Sequence, residues 1–199
     1  MWRSPSVISD ALMCSVAKGL MMPHYAIGLA RTDDLPRLPL IELAAAQLLR
    51  GHAPESVLNE TTSHDELQKA QREGRLWVVR ADDTAVGFAH VSVIESSTAH
   101  LAEIDVLPEH GRRGLGTRLV EEVCRWAGST GHESVTLTTF RDIRWNMPFY
   151  ERLGFRVVPN ADLSPALRAV VQDETRRGLD ASRRVAMKRP CRASVVGVD

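Results

Sequence analysis

The run Val106-Leu107-Pro108-Glu109-His110-Gly111-Arg112-Arg113-Gly114-Leu115-Gly116-Thr117 constrains the fold of this chain more than any other segment. An apolar stretch stops at a proline, and a basic, glycine-bearing loop then opens directly onto a helical pattern. Leu115, Leu119, Val123 and Ala127 recur at four-residue spacing, with Arg118, Glu121, Glu122 and Arg125 largely on the other side. That spacing predicts an amphipathic helix whose first turn is the loop itself. The first N–H groups of a helix have no internal partners and carry the positive end of its dipole. Gly114 and Gly116 allow a ligand close to the backbone, and Arg112 and Arg113 add cationic charge, so these parts suit a pyrophosphate. The competing reading of the glycines alone is an ordinary strand-to-helix turn.

Two common phosphate loops are excluded by spacing. A P-loop ends in Gly-Lys-Ser/Thr, whereas Gly116 is followed by Thr117 and Arg118. A dinucleotide fingerprint needs a third glycine or alanine where this chain has Leu119. Further on, Ser134 to Phe140 is β-branched and reads as a strand. After a short loop comes Asn146-Met147-Pro148-Phe149-Tyr150-Glu151-Arg152-Leu153-Gly154-Phe155. Pro148 suits the first turn of a short helix, Asn146 or Met147 its cap, and Gly154 its stop.

The glycine loop resembles motif A of the GCN5-related N-acetyltransferases, the GNAT family, with Gly111 standing where that family usually has Gln or Arg. The second segment resembles motif B, in which a short helix carries a tyrosine, here Tyr150, shortly before Leu153-Gly154-Phe155. The resemblance spans about Tyr25 to Arg189. It implies a GNAT-like acyl-CoA N-acyltransferase fold, acetyl-CoA as donor, no metal, and direct transfer to a primary amine. It places the pantetheine arm along the strand ending Ile104-Asp105-Val106-Leu107, with Val106 N–H as the oxyanion donor. Cofactor contacts are then expected from Asp105, Val106, Leu107, Arg112, Arg113, Gly114, Leu115, Gly116, Thr117, Asn146 and Phe149. Tyr150 takes the slot of the family's usual proton donor to the thiolate. The alternative is a catalytically silent acyl-CoA-binding or interaction module on the same fold.

Amide formation sets the remaining requirement. An alkyl ammonium has a pKa of about 10.4, so a base must remove a proton before or during attack. The strand offers His100, Glu103 and Asp105. Alternation puts Glu103 and Asp105 on one face and His100, Ala102 and Ile104 on the other, so only one set can look into the site unless a bulge intervenes. His100 lies where several relatives keep a base, and Glu103 is the second candidate. His90, His100 and His110 share no helix face and no zinc spacing. Trp77 and Trp126 read as packing residues, whereas Trp145, with Arg141, Asp142 and Arg144, falls in the loop beside the reaction centre.

The other elements follow from local signals. Tyr25 to Ala30 is a strand, and Thr32, Asp33 or Asp34 caps a helix with apolar Leu40, Ile41, Ala44, Ala45 and Leu48. Residues 51–62 form a polar connection that, by the resemblance, shapes the amine site together with the end of that helix. Glu55 and Glu60 there are either attractors of a cationic amine or solvated acids. Ser63 caps a helix over His64–Arg72 that stops at Gly74. Leu76 to Arg80, a turn at Asp82-Asp83, and Val86 to Ile94 form a hairpin, and His100 to Val106 delivers the glycine loop. Phe155 to Val158 is a strand, Pro165 to Arg176 a helix, and Arg183 to Lys188 a last strand. Strands first and a loop-to-helix crossover after them predict an α/β (α+β) fold, a mixed sheet with helices on both faces.

With 199 residues the chain has room for one sizeable core. Residues 23–190 are expected to form the domain, 1–22 a loosely ordered extension and 191–199 a tail. Basic and acidic residues balance at 25 each, which gives no reason to expect nucleic acid or an anionic membrane as partner. Residues 176–192 carry seven bases against the single acid Asp180, read as a solvated strand and tail. No apolar run approaches a membrane span. Cys14, Cys124 and Cys191 form no close pair, so a reducing cytoplasm is the expected setting. A homodimer is left open.

Overall fold

A computed structural model describes residues 23–191. The readings of residues 1–22 and of the tail beyond Cys191 lie outside the described residues. Seven strands form one sheet in the order β1-β2-β3-β4-β5-β7-β6. They are β1 (Tyr25–Leu29), β2 (Leu76–Ala81), β3 (Thr84–Glu95), β4 (Thr98–Val106), β5 (Ser134–Phe140), β6 (Arg156–Val157) and β7 (Arg184–Pro190). β4 and β5 run parallel and every other neighbouring pair is antiparallel. The β2–β3 hairpin turns through Asp82 and Asp83, both at positive φ, as a two-residue turn matched to strand twist requires.

The helices are α1 (Leu38–Ala46), α2 (Glu55–Leu58), α3 (His64–Arg72), α4 (Leu115–Ser129), α5 (Met147–Arg152) and α6 (Pro165–Arg176). α4 buries Leu115, Leu119, Val123 and Ala127, the stripe its spacing predicts, against Val79, Val91, Leu101 and Val135 of the sheet. The opposite face is covered at one end by α1 and α3, through Leu38, Ile41, Leu67 and Ala70 on Val78 and Phe88. Further along that face, Leu167 of α6 packs on Ala186. Ser63 Oγ accepts the N–H of Glu66 at 3.3 Å and so caps α3 as expected.

Three boundaries differ from the sequence reading. The segment Thr32–Arg37 is a 3-10 turn ahead of α1, in which the Asp34 carboxylate accepts Arg31 N–H at 2.6 Å and binds the buried Arg80 guanidinium. Leu40 and Leu48 do not join the buried face of α1; Leu38, Ile41 and Ala45 do, and Leu40 and Leu48 face solvent. β6 shrinks to two residues because only Arg156 and Val157 pair with β7.

The topology opens a site where β4 and β5 part. They pair only at Thr98–Ser134, Ala99–Val135 and His100–Thr136, then diverge. Among the described residues, nothing pairs with the β4 edge beyond His100 on the β5 side, which leaves backbone donors facing a cleft.

Candidate active site

The cleft has a volume of about 340 Å³ and is walled by Leu101 to Val106 on one side and Leu137 to Phe140 on the other. Asn146 and Tyr150 of the α5 turn close one end, and Leu48, Leu49, Ala53 and Val57 form its outer wall. Leu107 N–H donates to Val86 O at 2.9 Å, so it points toward β3. Successive amides of a strand point to opposite edges, which aims Val106 N–H and Ile104 N–H into the gap. Ile104 N–H donates to its neighbour, the Glu103 carboxylate, at 3.3 Å.

A bulge decides which side chains see the cleft. His90 pairs with Glu103 but Val91 pairs with Leu101, so Ala102 has no counterpart on β3. The extra residue resets the alternation. Leu101, Ile104 and Val106 all pack toward α4. His100, Glu103 and Asp105 consequently share the opposite face, correcting the expectation that His100 and Glu103 lie on different faces.

Sharing a face does not give His100 and Glu103 the same surroundings. His100 is buried, shares a hydrogen bond between Nδ1 and Thr136 Oγ1 at 3.1 Å, and lines a separate groove beside α6 with Ala166 and Val170. Burial drives its pKa down to about 4, which leaves the imidazole neutral. Glu103 and Asp105 line the cleft itself, and their side chains are hydrogen-bonded to one another. Burial raises both, and the Glu103 and Glu42 charges push Asp105 well above the usual carboxylate range. Two adjacent carboxyls in a poorly solvated place share one proton. The physical causes put it on Asp105, which donates to the Glu103 carboxylate; Asp105 Oδ2 is buried with no partner.

Tyr150 sits across the cleft, its ring edge-on to Phe149 at 5.0 Å and Phe155 at 5.9 Å. Burial first, then the neighbouring Glu103 and Asp105 carboxyls, raise its hydroxyl pKa, so it holds its proton. Asn146 begins α5, but its side chain makes no capping bond.

The glycine loop lies at the far end of β4. Arg112 (φ +57°) and Gly114 (φ +74°) are left-handed, and a Cβ built on Gly114 meets nothing within 4 Å. Arg118 N–H makes the first helical bond, to Gly114 O at 3.1 Å, so the N–H groups of Leu115, Gly116 and Thr117 precede it. A Cβ on Gly116 would stand 3.5 Å from Phe149 Cζ, which joins the loop to the tyrosine helix. Arg112 and Arg113 are exposed beside this turn, with Arg113 5.9 Å above the Tyr25 ring. An open strand edge continuing into an uncovered helix N-terminus suits an extended thiol ester arm ending in phosphates.

Some contributors carried no motif. Glu42 is buried on α1, where it accepts Thr62 N–H at 2.9 Å, and burial together with the Glu103 charge lifts its pKa to about 7. Its sequence signal was an acid at the spacing of Leu38, Ile41 and Ala45. Glu174 of α6 binds Arg184 of β7 at 2.6 Å, and Thr138 donates to the same carboxylate. Gly87 faces Val106, and a Cβ there would lie 2.7 Å from Asp105 O, so only glycine lets β3 and β4 approach at the site. Among the described residues, no group of three or more His, Cys, Asp or Glu side chains could hold a metal ion.

A family model described as Acetyltransferase (GNAT) family matches residues 43–155, more than half of the chain. The chain belongs to the GNAT acetyltransferase family. The match covers the glycine loop, the β4 edge and the tyrosine helix together. Solved structures agree in fold. The PaiA N-acetyltransferase of Thermoplasma acidophilum, in complex with coenzyme A, superposes with a TM-score of 0.65 at 18% identity, covering 84% of this chain and 99% of that one. The ribosomal-protein-S18-alanine N-acetyltransferase of Escherichia coli gives 0.59 at 21% identity, over 88% and 99%. The N-acetylglutamate synthase of Neisseria gonorrhoeae, complexed with coenzyme A and N-acetyl-glutamate, gives 0.63 at 16%, over 86% of this chain and 36% of that one. This GNAT protein is an acetyl-CoA-dependent N-acetyltransferase.

Proposed function

We propose that the acetyl group passes directly from acetyl-CoA to a primary amine held in the β4–β5 cleft, with Glu103 as base and Tyr150 as acid. The carrying observation is that the β4 bulge turns Glu103 into the same cleft as Tyr150 and the open Val106 N–H. Acetyl-CoA supplies the thioester carbonyl. The amides of Leu115, Gly116 and Thr117, with Arg112 and Arg113 nearby, take the pyrophosphate, and the β4 edge takes the pantetheine arm. Asn146 lines the cleft end of that path, and Phe149 stands against the glycine loop.

Proton bookkeeping follows from the chain's own groups. Glu103 first takes one proton from the ammonium and passes it to solvent, and the nitrogen lone pair then forms the amide bond as the carbon–sulfur bond breaks. Glu103 takes the second nitrogen proton, and Asp105, which bonds it, keeps that carboxylate oriented. Val106 N–H faces the carbonyl oxygen as negative charge gathers there. Tyr150 gives its proton to the leaving thiolate and regains one from solvent. His100 serves the α6 groove rather than this reaction. The products are an amide, the CoA thiol and one proton.

Calorimetry with CoA, followed by thiol release and mass spectrometry over pooled amines, tests this reading. Micromolar binding and an acetylated product are expected. Binding without turnover on any amine would instead leave a silent acyl-CoA-binding module. We place the reaction in the cytoplasm, in keeping with the free thiols of Cys124 and Cys191; among the described residues no helix is long and apolar enough to cross a membrane.

A further inference from the structure

Resting on the acetyltransferase reading, we infer that the acceptor is a small primary monoamine bearing an apolar or aromatic group and no carboxylate. The charge pattern of the cleft points to this first. Glu103 and Asp105 form no ion pair with a basic side chain among the described residues, so the deep end of the cleft presents an acid with no cation of its own. An ammonium is the complementary group.

The two guanidiniums lining the cleft are already committed. Arg177 donates to Glu60 at 2.9 Å, and Arg184 forks onto Glu174 at 2.6 and 3.1 Å. An amino acid's α-carboxylate would have to share Arg177 with Glu60 or Arg184 with the buried Glu174, and it would stand against the Glu103 carboxylate in the same cleft. Glu174 is likewise unavailable to the second ammonium of a polyamine.

Apart from Thr138, Thr139, Asn146 and Tyr150, the remaining wall is apolar. Leu49, Ala53 and Val57 close on Phe140, Ile143 and Leu179 in one cluster. At the mouth stand Leu48 and Trp145, 53% and 54% exposed, two of the few large apolar side chains left uncovered. His52 meets the Trp145 ring edge-on at 6.3 Å, and Arg183 donates to His52 O at 2.9 Å, which ties the two loops that carry this mouth. A sugar amine has more hydroxyls than these few polar groups can pair, and would set the others against hydrocarbon. An aromatic or branched aliphatic group gains contact area instead. The volume of about 340 Å³ must also admit the thioester end of the donor, which limits the part of the acceptor inside the cleft to a compact group.

The test uses the full chain, after CoA affinity has been measured, and follows thiol release with phenethylamine, phenylalanine, spermidine, glucosamine and a short peptide beginning with phenylalanine. Phenethylamine should exceed each of the others at least tenfold in kcat/KM. Trp145→Ala should raise its KM about tenfold while kcat stays within about twofold and the CoA Kd is unchanged, and Trp145→Phe should restore most of the loss. Leu48→Ser should act in the same direction, so the conclusion does not hang on one variant. Faster turnover of phenylalanine, spermidine, glucosamine or the peptide overturns the acceptor assignment and leaves the acetyltransferase reading intact. An unchanged KM in both mouth variants does the same. No CoA binding, or no thiol release with any amine, overturns the underlying reading itself.

Discussion

Tyr150 is where one atom separates competing accounts of this site. Its ring is held by Phe149 and Phe155, so Tyr150→Phe keeps the packing and removes only the hydroxyl. Turnover should fall roughly 10²–10⁴-fold while CoA affinity persists, as steady-state kinetics and calorimetry will show. Full activity would mean that the thiolate leaves unaided. Glu103 and His100 separate in the same way. Glu103→Gln should depress turnover most at pH 6 and recover toward pH 9, as more of the free amine is already deprotonated. His100→Ala should show no such slope, because a buried imidazole with a pKa of about 4 carries no proton change across that range. A pH–rate profile that put the alkaline recovery on His100→Ala would reverse the assignment. Tyr150 was legible in the sequence because Leu153-Gly154-Phe155 frames it. Choosing between Glu103 and His100 was not. A bulge leaves no mark in a string of residue types, and here the unmatched Ala102 decides the geometry.

At the scale of elements, the β4–loop–α4 unit is the proposed cofactor end. Its stripe of Leu115, Leu119, Val123 and Ala127 was readable because a fifteen-residue helix repeats its pattern four times. The splay of β4 from β5 was not readable, since strand partners are set by distant segments. Gly116→Glu places bulk and negative charge at the first turn of α4, where the uncovered amides and helix dipole favour an anion. Its Cβ has only ordinary contact with Phe149, so the helix should still form. The CoA Kd should rise at least tenfold, about 1.4 kcal/mol. Unchanged affinity in a folded variant, checked by circular dichroism, would remove this turn from the phosphate site. The basic stretch near the C-terminus was expected to be solvated; Arg176, Arg177 and Lys188 are exposed, and three of its arginines also pair across the molecule, Arg177 with Glu60, Arg183 with Asp142 and Arg189 with Glu121. Composition showed their charge, but only tertiary structure supplies those partners.

Across the whole molecule, placing ionisable groups inside the sheet face makes stability depend on pH in two opposing ways. His90 and His100 are buried neutral, each with a pKa lowered from 6.5 to about 4, chiefly by burial. The unfolded chain therefore binds protons first on acidification, and these two groups favour the native state fully above pH 6.5 and progressively less down to pH 4. Glu42 works in reverse. Its pKa rises from 4.5 to about 7, so its contribution is complete below pH 4.5 and is lost as pH climbs through 7. The opposing signs partly cancel in the wild-type protein, and single substitutions should expose them. His90 is 2% exposed, with Glu66 Oε1 4.0 Å away and the Arg75 charge acting on it. His90→Leu removes one titration at similar volume. Relative to wild type, its stability should improve as pH falls from 7 to 5 by about 2 kcal/mol, the linkage value for that shift. Urea unfolding at the two pH values measures this difference. A constant gap between variant and wild type would mean that His90 titrates alike in the folded and unfolded chains, and that β3 is more hydrated beneath α3 than its burial implies.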